Sequence, residues 1–169
     1  MDYSDGGHYE GEWLADQRHG QGVLDYPDGG HYEGSFLENR RCGHGKMHYK
    51  NNSTYEGEWR DDVRCGRGQT VWEDGTTYEG EYQNNVFSGY GVYTWPDGAR
   101  YEGEWAENRR HGYGKMYYKD NSTYEGEWKN GGRHGRGRSV WENGATYEGE
   151  YADNAFCGYG ICTYADGGM

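Results

Sequence analysis

One position in this chain invites metal chemistry. Read down the sequence in 23-residue steps, it holds His19, Cys42, Cys65, Ser88, His111, His134 and Cys157, and His and Cys are the side chains zinc prefers. Positions spaced so regularly fall at equivalent places in neighbouring repeats. If each repeat is a pair of strands, those places are roughly 10 Å apart. Zinc holds its ligands at about 2.0–2.3 Å, so adjacent equivalents cannot share an ion. The same separation rules out a Cys42–Cys65 disulfide. The paired glutamates Glu56 and Glu58, with their copies, could serve as general acid and base. A column of identical pairs lacks a unique cleft or nucleophile, however, and reads as a surface charge ladder. Gly-x-Gly motifs such as Gly66-Arg67-Gly68 are not dinucleotide fingerprints, because no Gly-x-Gly-x-x-Gly opens a helix. No enzyme activity, metal or cofactor is expected.

Two other sets of side chains are candidates for binding. Arg40, Arg41, Arg109, Arg110, Arg133, Arg136 and Arg138 form local basic clusters along one loop edge, where they could meet phosphate headgroups or an acidic partner. The bland alternative is pairing with neighbours such as Glu38, Asp61 or Glu107. Val86, Phe87, Tyr90 and Val92 recur as Ala155, Phe156, Tyr159 and Ile161. At the Phe position, the other repeats carry Arg18, Arg41, Arg64, Arg110 or Arg133. Exchanging Arg for Phe at a loop end marks these residues as candidate partner contacts.

The elements that would position these groups follow from one repeated word. Copies of Tyr55-Glu-Gly-Glu-Trp59 begin at Tyr9, Tyr32, Tyr55, Tyr78, Tyr101, Tyr124 and Tyr147, always 23 residues apart. Fixed pitch without insertion is the signature of a repeat architecture. In the copy from 55 to 77, Tyr55, Gly57 and Trp59 alternate with Glu56 and Glu58, which gives a strand with one aromatic and one acidic face. The polar stretch from Arg60 to Cys65 reads as a loop, and Gly66 to Trp72 as the return strand. Asp74-Gly75 reads as a tight turn into the next repeat. Its equivalents are Asp28-Gly29, Asn51-Asn52, Asp97-Gly98, Asp120-Asn121, Asn143-Gly144 and Asp166-Gly167.

The fold class is therefore all-β: an elongated, twisted, single-layer antiparallel sheet of seven consecutive hairpins over residues 9–169, with a partial repeat in residues 1–8. At roughly 4.8 Å between strands the ribbon would be on the order of 65–70 Å long. Without a second layer, the rings must pack on their own backbone, with Gly57, Gly66 and Gly68 leaving room for them. Glu56 and Glu58 share a parity with Arg67, and elsewhere with Lys46, Lys115, Arg136 and Arg138, which predicts register-setting acid–base pairs. Both ends look unfinished, so a longer array, or self-association through open sheet edges, is expected.

Bulk properties narrow the function further. The 169 residues carry a formal charge of −12, and only 32% are hydrophobic, yet 17% are aromatic. The aromatics separate the chain from disordered sequences of similar charge. Its acidity opposes nucleic-acid binding. No apolar run approaches the roughly 18 residues of a membrane-spanning helix, and no signal peptide is recognisable. Four cysteines without framework spacing fit a reducing, intracellular and cytoplasmic compartment. A second period of 69 residues pairs the repeat at Tyr32 with that at Tyr101, Tyr55 with Tyr124, and Tyr78 with Tyr147. It reads first as duplication of a three-repeat block, and second as surface features recurring about 29 Å apart.

Tyr-Glu-Gly-Glu-Trp, then Gly-x-Gly, then an aromatic and Asp-Gly, at 23-residue pitch, resembles the MORN repeat (membrane occupation and recognition nexus). The resemblance runs from Tyr9 to the C-terminus, with a half-repeat in Tyr3-Ser4-Asp5-Gly6-Gly7-His8. Departures are mild: Ser35-Phe36 for Glu-Trp, Tyr82 and Tyr151 for Trp, Asn52 and Asn121 for the turn glycine. The resemblance implies an elongated β-ribbon acting as scaffold and protein-binding module. Such arrays occur in ciliary radial spokes, cytoskeletal assemblies of protists and junctophilins, and beside catalytic domains that this chain lacks. The expected function is a non-enzymatic scaffold and protein–protein interaction module in a larger intracellular assembly. Cytoskeleton, cilium or flagellum is the implied setting. The alternative is a membrane-proximal tether that binds acidic phospholipids through the basic loop clusters.

Overall fold

In the computed structural model, which describes residues 1–165, the chain consists of antiparallel strands and turns and separates into two compact units, Met1–Val86 and Phe87 onward. The first holds β1 (His8–Leu14), β2 (Gln17–Asp25), β3 (His31–Leu37), β4 (Arg40–His48), β5 (Thr54–Arg60), β6 (Val63–Val71) and β7 (Thr77–Gln83). The second holds β8 (Val86–Thr94, entering at its first residue), β9 (Arg100–Ala106), β10 (Arg109–Tyr117), β11 (Thr123–Lys129), β12 (Gly132–Val140), β13 (Thr146–Ala152) and β14 (Ala155–Thr163). Within each unit strand order is chain order, the antiparallel meander that an alternating pattern with short connections dictates.

The β5–β6 hairpin shows what holds each repeat. Tyr55 and Trp59 are buried on one face, while Glu56 and Glu58 point to solvent on the other. Tyr55 lies flat across the facing pair Gly57 and Gly68. A Cβ built on Gly57 would stand 2.5 Å from the Gly68 Cα and 2.6 Å from the Tyr55 hydroxyl, so a side chain at either glycine would displace the ring. The Tyr55 hydroxyl donates to the Glu58 carbonyl at 2.9 Å, and the Trp59 indole N–H donates to the Gly45 carbonyl at 3.1 Å. Neither polar group is left unpaired in the core. The Trp59 ring stands edge-on to Tyr55 at 5.1 Å and to Tyr32 of the previous repeat at 5.5 Å. Such pairs are worth roughly 0.5–1.5 kcal/mol each beyond area burial. Continued through a unit, they replace the aliphatic core that the composition cannot supply.

Where Tyr82 and Tyr151 replace Trp, the hydroxyl meets Thr70 Oγ1 at 2.6 Å and Ser139 Oγ at 2.7 Å, both buried. The equivalent positions in the repeats that keep Trp59 and Trp128 are the buried Met47 and Met116. The departures from Trp are thus compensated one strand away.

Three sequence expectations need correction. The stretch from Arg60 to Cys65 is not a loop. Strand β5 runs to Arg60 and β6 starts at Val63, leaving the two-residue turn Asp61-Asp62 with φ of 49° and 66°. Paired positive φ values are the hairpin turn that matches strand twist. The wider connection is the one expected to be tight. At Asp74-Gly75 the Trp72 N–H donates to the Thr76 carbonyl and the Asp74 carboxylate accepts from the Thr76 N–H at 2.9 Å. Asn52 and Asn121 do take the left-handed conformation there, at 61° and 62°. Asp166-Gly167 lies outside the described residues.

Second, Gly66 makes no room for a ring. The register jumps between Gly57 and Glu58, whose partners are Gly68 and Cys65, and Gly66 sits in the resulting bulge at φ 54°. The Glu58 carboxylate folds over it, so that a Cβ on Gly66 would collide with that carboxyl group, and accepts the Arg67 N–H at 3.0 Å. Glu12, Glu104 and Glu127 do the same for Gln21, Tyr113 and Arg136. Third, the predicted acid–base ladder forms only in part. Lys46–Glu56 and Lys115–Glu125 pair at 3.1 Å, whereas among the described residues Arg67, Arg136 and Arg138 enter no ion pair. The second glutamates Glu12, Glu58, Glu104 and Glu127 are occupied as bulge caps.

Candidate protein-binding surface

The two faces of the strands divide the sequence candidates. On the ring face, the arginine column is part of the fold. Arg41 lies over Trp59 at 4.3 Å and donates to the Asp62 carbonyl at 3.2 Å, with Nε on the Asp62 carboxylate at 2.9 Å. Arg110 lies over Trp128 at 4.3 Å and donates to the Gly131 carbonyl at 2.7 Å. Arg133 lies over Tyr151 at 5.2 Å and reaches the Asn154 carbonyl at 2.8 Å. Each guanidinium covers a ring and clamps the hairpin tip of the following repeat, combining cation–π attraction with planar donors. Burial lowers the pKa of Arg110 from its ordinary value, which marks it as packed and poorly hydrated. Phe87 fills the same slot, 5.5 Å from Trp105, and Phe156 lies 4.1 Å from Tyr147 while remaining exposed. The exchange of Arg for Phe therefore conserves a ring contact.

Of the remaining arginines, Arg40 pairs with Asp61 at 3.1 Å. Arg109 opens β10 and is exposed. Arg136 and Arg138 are exposed on β12, on the face opposite the rings. The basic residues thus form no single patch. The apolar candidates separate likewise: Phe87 and Phe156 lie on the ring face, while Val86, Tyr90, Val92, Tyr159 and Ile161 lie on the glutamate face by alternation.

On that second face the side chain between the two glycines of each Gly-x-Gly stands clear of the sheet. In the first unit this column reads Gln21, His44, Arg67; in the second it reads Tyr90, Tyr113, Arg136, Tyr159. The three tyrosines are 54%, 55% and 90% exposed, and Ile161 is 65% exposed. Between Tyr113 and Tyr159 lies a trough of about 630 Å³, its floor crossed by Gly126, Gly137, Gly149 and Gly160 and edged by Arg136 and Arg138. The Tyr113 hydroxyl reaches Glu125 at 3.3 Å. Partial burial and the neighbouring Glu125 raise its pKa, and the hydrogen bond from Lys115 to the same carboxylate raises that of the lysine. The Tyr113 hydroxyl is thus tied to the neighbouring strand by one hydrogen bond. The Arg-to-Phe exchange does not point to Tyr113, because its repeat carries Arg110 at the Phe position. Comparison of the Gly-x-Gly column is the signal that finds it.

Among the described residues no three His, Cys, Asp or Glu side chains are grouped to hold a metal ion, and the described cysteines are free thiols. Among the described residues no helix is long and apolar enough to cross a membrane. What this surface offers is recognition: exposed rings, the exposed guanidiniums of Arg136 and Arg138, and an open trough.

These features define a β-hairpin repeat protein with an aromatic surface stripe. The chain belongs to the MORN-repeat family, whose sequence profile matches residues 9–31, 32–54, 55–77, 78–100, 101–123, 124–146 and 147–169. Comparison with curated protein sequences finds no match. Among solved structures, the chain is similar to the TCP domain of SAS-4 (dCPAP) from Drosophila melanogaster, solved in complex with a proline-rich motif of Ana2 (dSTIL). The two share 16% identity and a TM-score of 0.55, over 95% of this chain and 86% of that one. The TCP10 domain of CPAP from Danio rerio, in complex with a STIL peptide, gives 15% identity and a TM-score of 0.49, over 83% of this chain and 64% of that one. At such identity the likeness to the fly domain is one of fold.

Proposed function

We propose that the chain is a non-enzymatic scaffold that binds a protein partner within a larger intracellular assembly. The observation that carries this reading is the stripe Tyr90, Tyr113 and Tyr159 on the glutamate face of the second unit, exposed where the first unit has Gln21, His44 and Arg67. Large exposed aromatics on a rigid sheet are the anchors of protein interfaces, and the remaining candidates on that face, Val92 and Ile161, extend the apolar area. Phe87, Phe156 and Val86 are flanking contacts in this reading. A cytoskeletal setting is supported by the family resemblance and by the fold shared with the fly SAS-4 domain, which was solved with a partner motif bound. The chain would occupy the cytoplasm, on the cytoskeleton or in a cilium.

Proximity labelling in cells tests this, comparing the wild-type chain with the double variant Tyr113→Ala, Tyr159→Ala. The expected result is a defined set of cytoskeletal neighbours that the variant loses while remaining folded. An unchanged neighbour set would remove the stripe from the interface. The membrane-tether reading has less support, since Arg41, Arg110 and Arg133 are spent on rings and carbonyls. Sedimentation with phosphoinositide liposomes at physiological salt should leave the chain in the supernatant.

A further inference from the structure

The spacing of the stripe specifies the conformation of what it binds. Tyr90, Tyr113, Arg136 and Tyr159 occupy the same place on β8, β10, β12 and β14, successive even strands of the second unit. Strand neighbours are about 4.8 Å apart, so these side chains repeat roughly every 9.6 Å across the strands. An extended β-segment returns a side chain to the same face about every 6.6 Å, and an α-helix has a pitch of 5.4 Å; neither matches. A polyproline II helix rises about 3.1 Å per residue with three residues per turn, hence roughly 9.3 Å. Over the three steps from Tyr90 to Tyr159 the mismatch accumulates to only about 1 Å.

We propose that the glutamate face of the second unit binds a proline-rich segment in the polyproline II conformation, lying across the strands with every third residue on the stripe. The inference rests on the protein-binding reading above and names the class of partner. Aromatic-lined grooves suit this helix because its ordering entropy is already small and prolines pack flat on rings. The trough between Tyr113 and Tyr159, with its glycine floor between rows of charged and aromatic side chains, gives such a segment a bed that runs across the strands. The charges narrow the segment further. Glu125 is engaged by Lys115 and Tyr113, and Glu150 folds over the Gly158 bulge. Arg136 and Arg138 are left without an ion pair among the described residues, against Glu148. The ligand therefore carries a carboxylate at the position that falls on Arg136.

The test is fluorescence anisotropy with the full chain and labelled twelve-residue proline peptides that carry a single glutamate, at position 5 or at position 8, so that in either direction of binding one of them sets its carboxylate on Arg136 and prolines on the tyrosines. The controls are the same peptides with alternating glycine and serine in place of proline, equal in charge but flexible, and with lysine in place of the glutamate, equal in conformation but opposite in charge. Saturable binding of one glutamate-bearing proline peptide is expected, at least about tenfold tighter than its controls. The double variant Tyr113→Ala, Tyr159→Ala and the single variant Arg136→Glu should each weaken it by about tenfold or more. His44→Ala with Arg67→Ala, the matching positions of the first unit, should leave it unchanged, and all variants should melt as the wild type does. Equal binding of the glycine-serine peptide, or binding indifferent to the tyrosines, overturns the proposal. If no proline peptide binds while the cellular neighbours still depend on Tyr113 and Tyr159, the polyproline inference falls and the scaffold reading stands. If both dependences are missing, both fall.

Discussion

At the scale of single residues, the glutamates of the motif are unequal despite their identical appearance. Glu56 faces Lys46 across strands, an exposed pair of small energetic weight. Glu58 caps the bulge at Gly66 and accepts a backbone N–H that no strand partner can reach. Glu58→Ala should therefore cost about 1 kcal/mol, whereas Glu56→Ala should fall within a few tenths; paired thermal melts measure both. The core tyrosines give a pH signature. Burial holds the phenols of Tyr32, Tyr55, Tyr78, Tyr101 and Tyr124 well above the ordinary value of 10, and pushes Tyr82 up to about 12 against the opposing hydrogen bond from Thr70. A raised folded-state pKa means that the unfolded chain releases these protons first. Stability from this source is complete below pH 10 and falls as pH climbs from 10 through the folded values. Tyrosinate absorbance should show the core phenols ionising together with loss of the β circular dichroism, and titration before unfolding would contradict their burial.

At the scale of the hairpin, the two-residue turn must satisfy two demands at its second position. The backbone is left-handed there, at 66° for Asp62 and 69° for Asn85, which glycine accepts most readily. The side chain also accepts the N–H of the arginine one repeat earlier, as Asn85 does from Arg64 at 2.9 Å. Asn and Asp meet both demands. Asn85→Gly should therefore destabilise by about 1 kcal/mol in spite of the relaxed backbone. Gly131 is the exception among these turns, at φ 88°. Gly131→Asn should raise the stability of the second unit by a similar amount, read from denaturant midpoints at constant slope.

At the scale of the whole molecule, contacts run between sequence neighbours, so a defect should spread only locally. Gly57→Ala drives a methyl group into Gly68 and the Tyr55 hydroxyl, an overpacking worth roughly 1–3 kcal/mol. Hydrogen exchange should accelerate in β4 to β7 and remain unchanged in β11 to β13. Uniform acceleration across both units would show cooperativity beyond nearest neighbours. The same locality lets surface positions vary without harm to the fold, which is why Tyr90, Tyr113 and Tyr159 can differ from Gln21, His44 and Arg67.

The sequence by itself determined the strands, their alternation and the repeat pitch, because these depend on the period of two and on residues close in the chain. It also placed Tyr55, Gly57 and Trp59 on one face and the glutamates on the other. Only the tertiary structure decided the bulge at Gly66, the short turn at Asp61-Asp62, and the stacking of Arg41 and Arg110 on rings of the next repeat. Each of these is set by pairing with a strand some ten to twenty residues away, where register, and not local pattern, fixes which atoms meet.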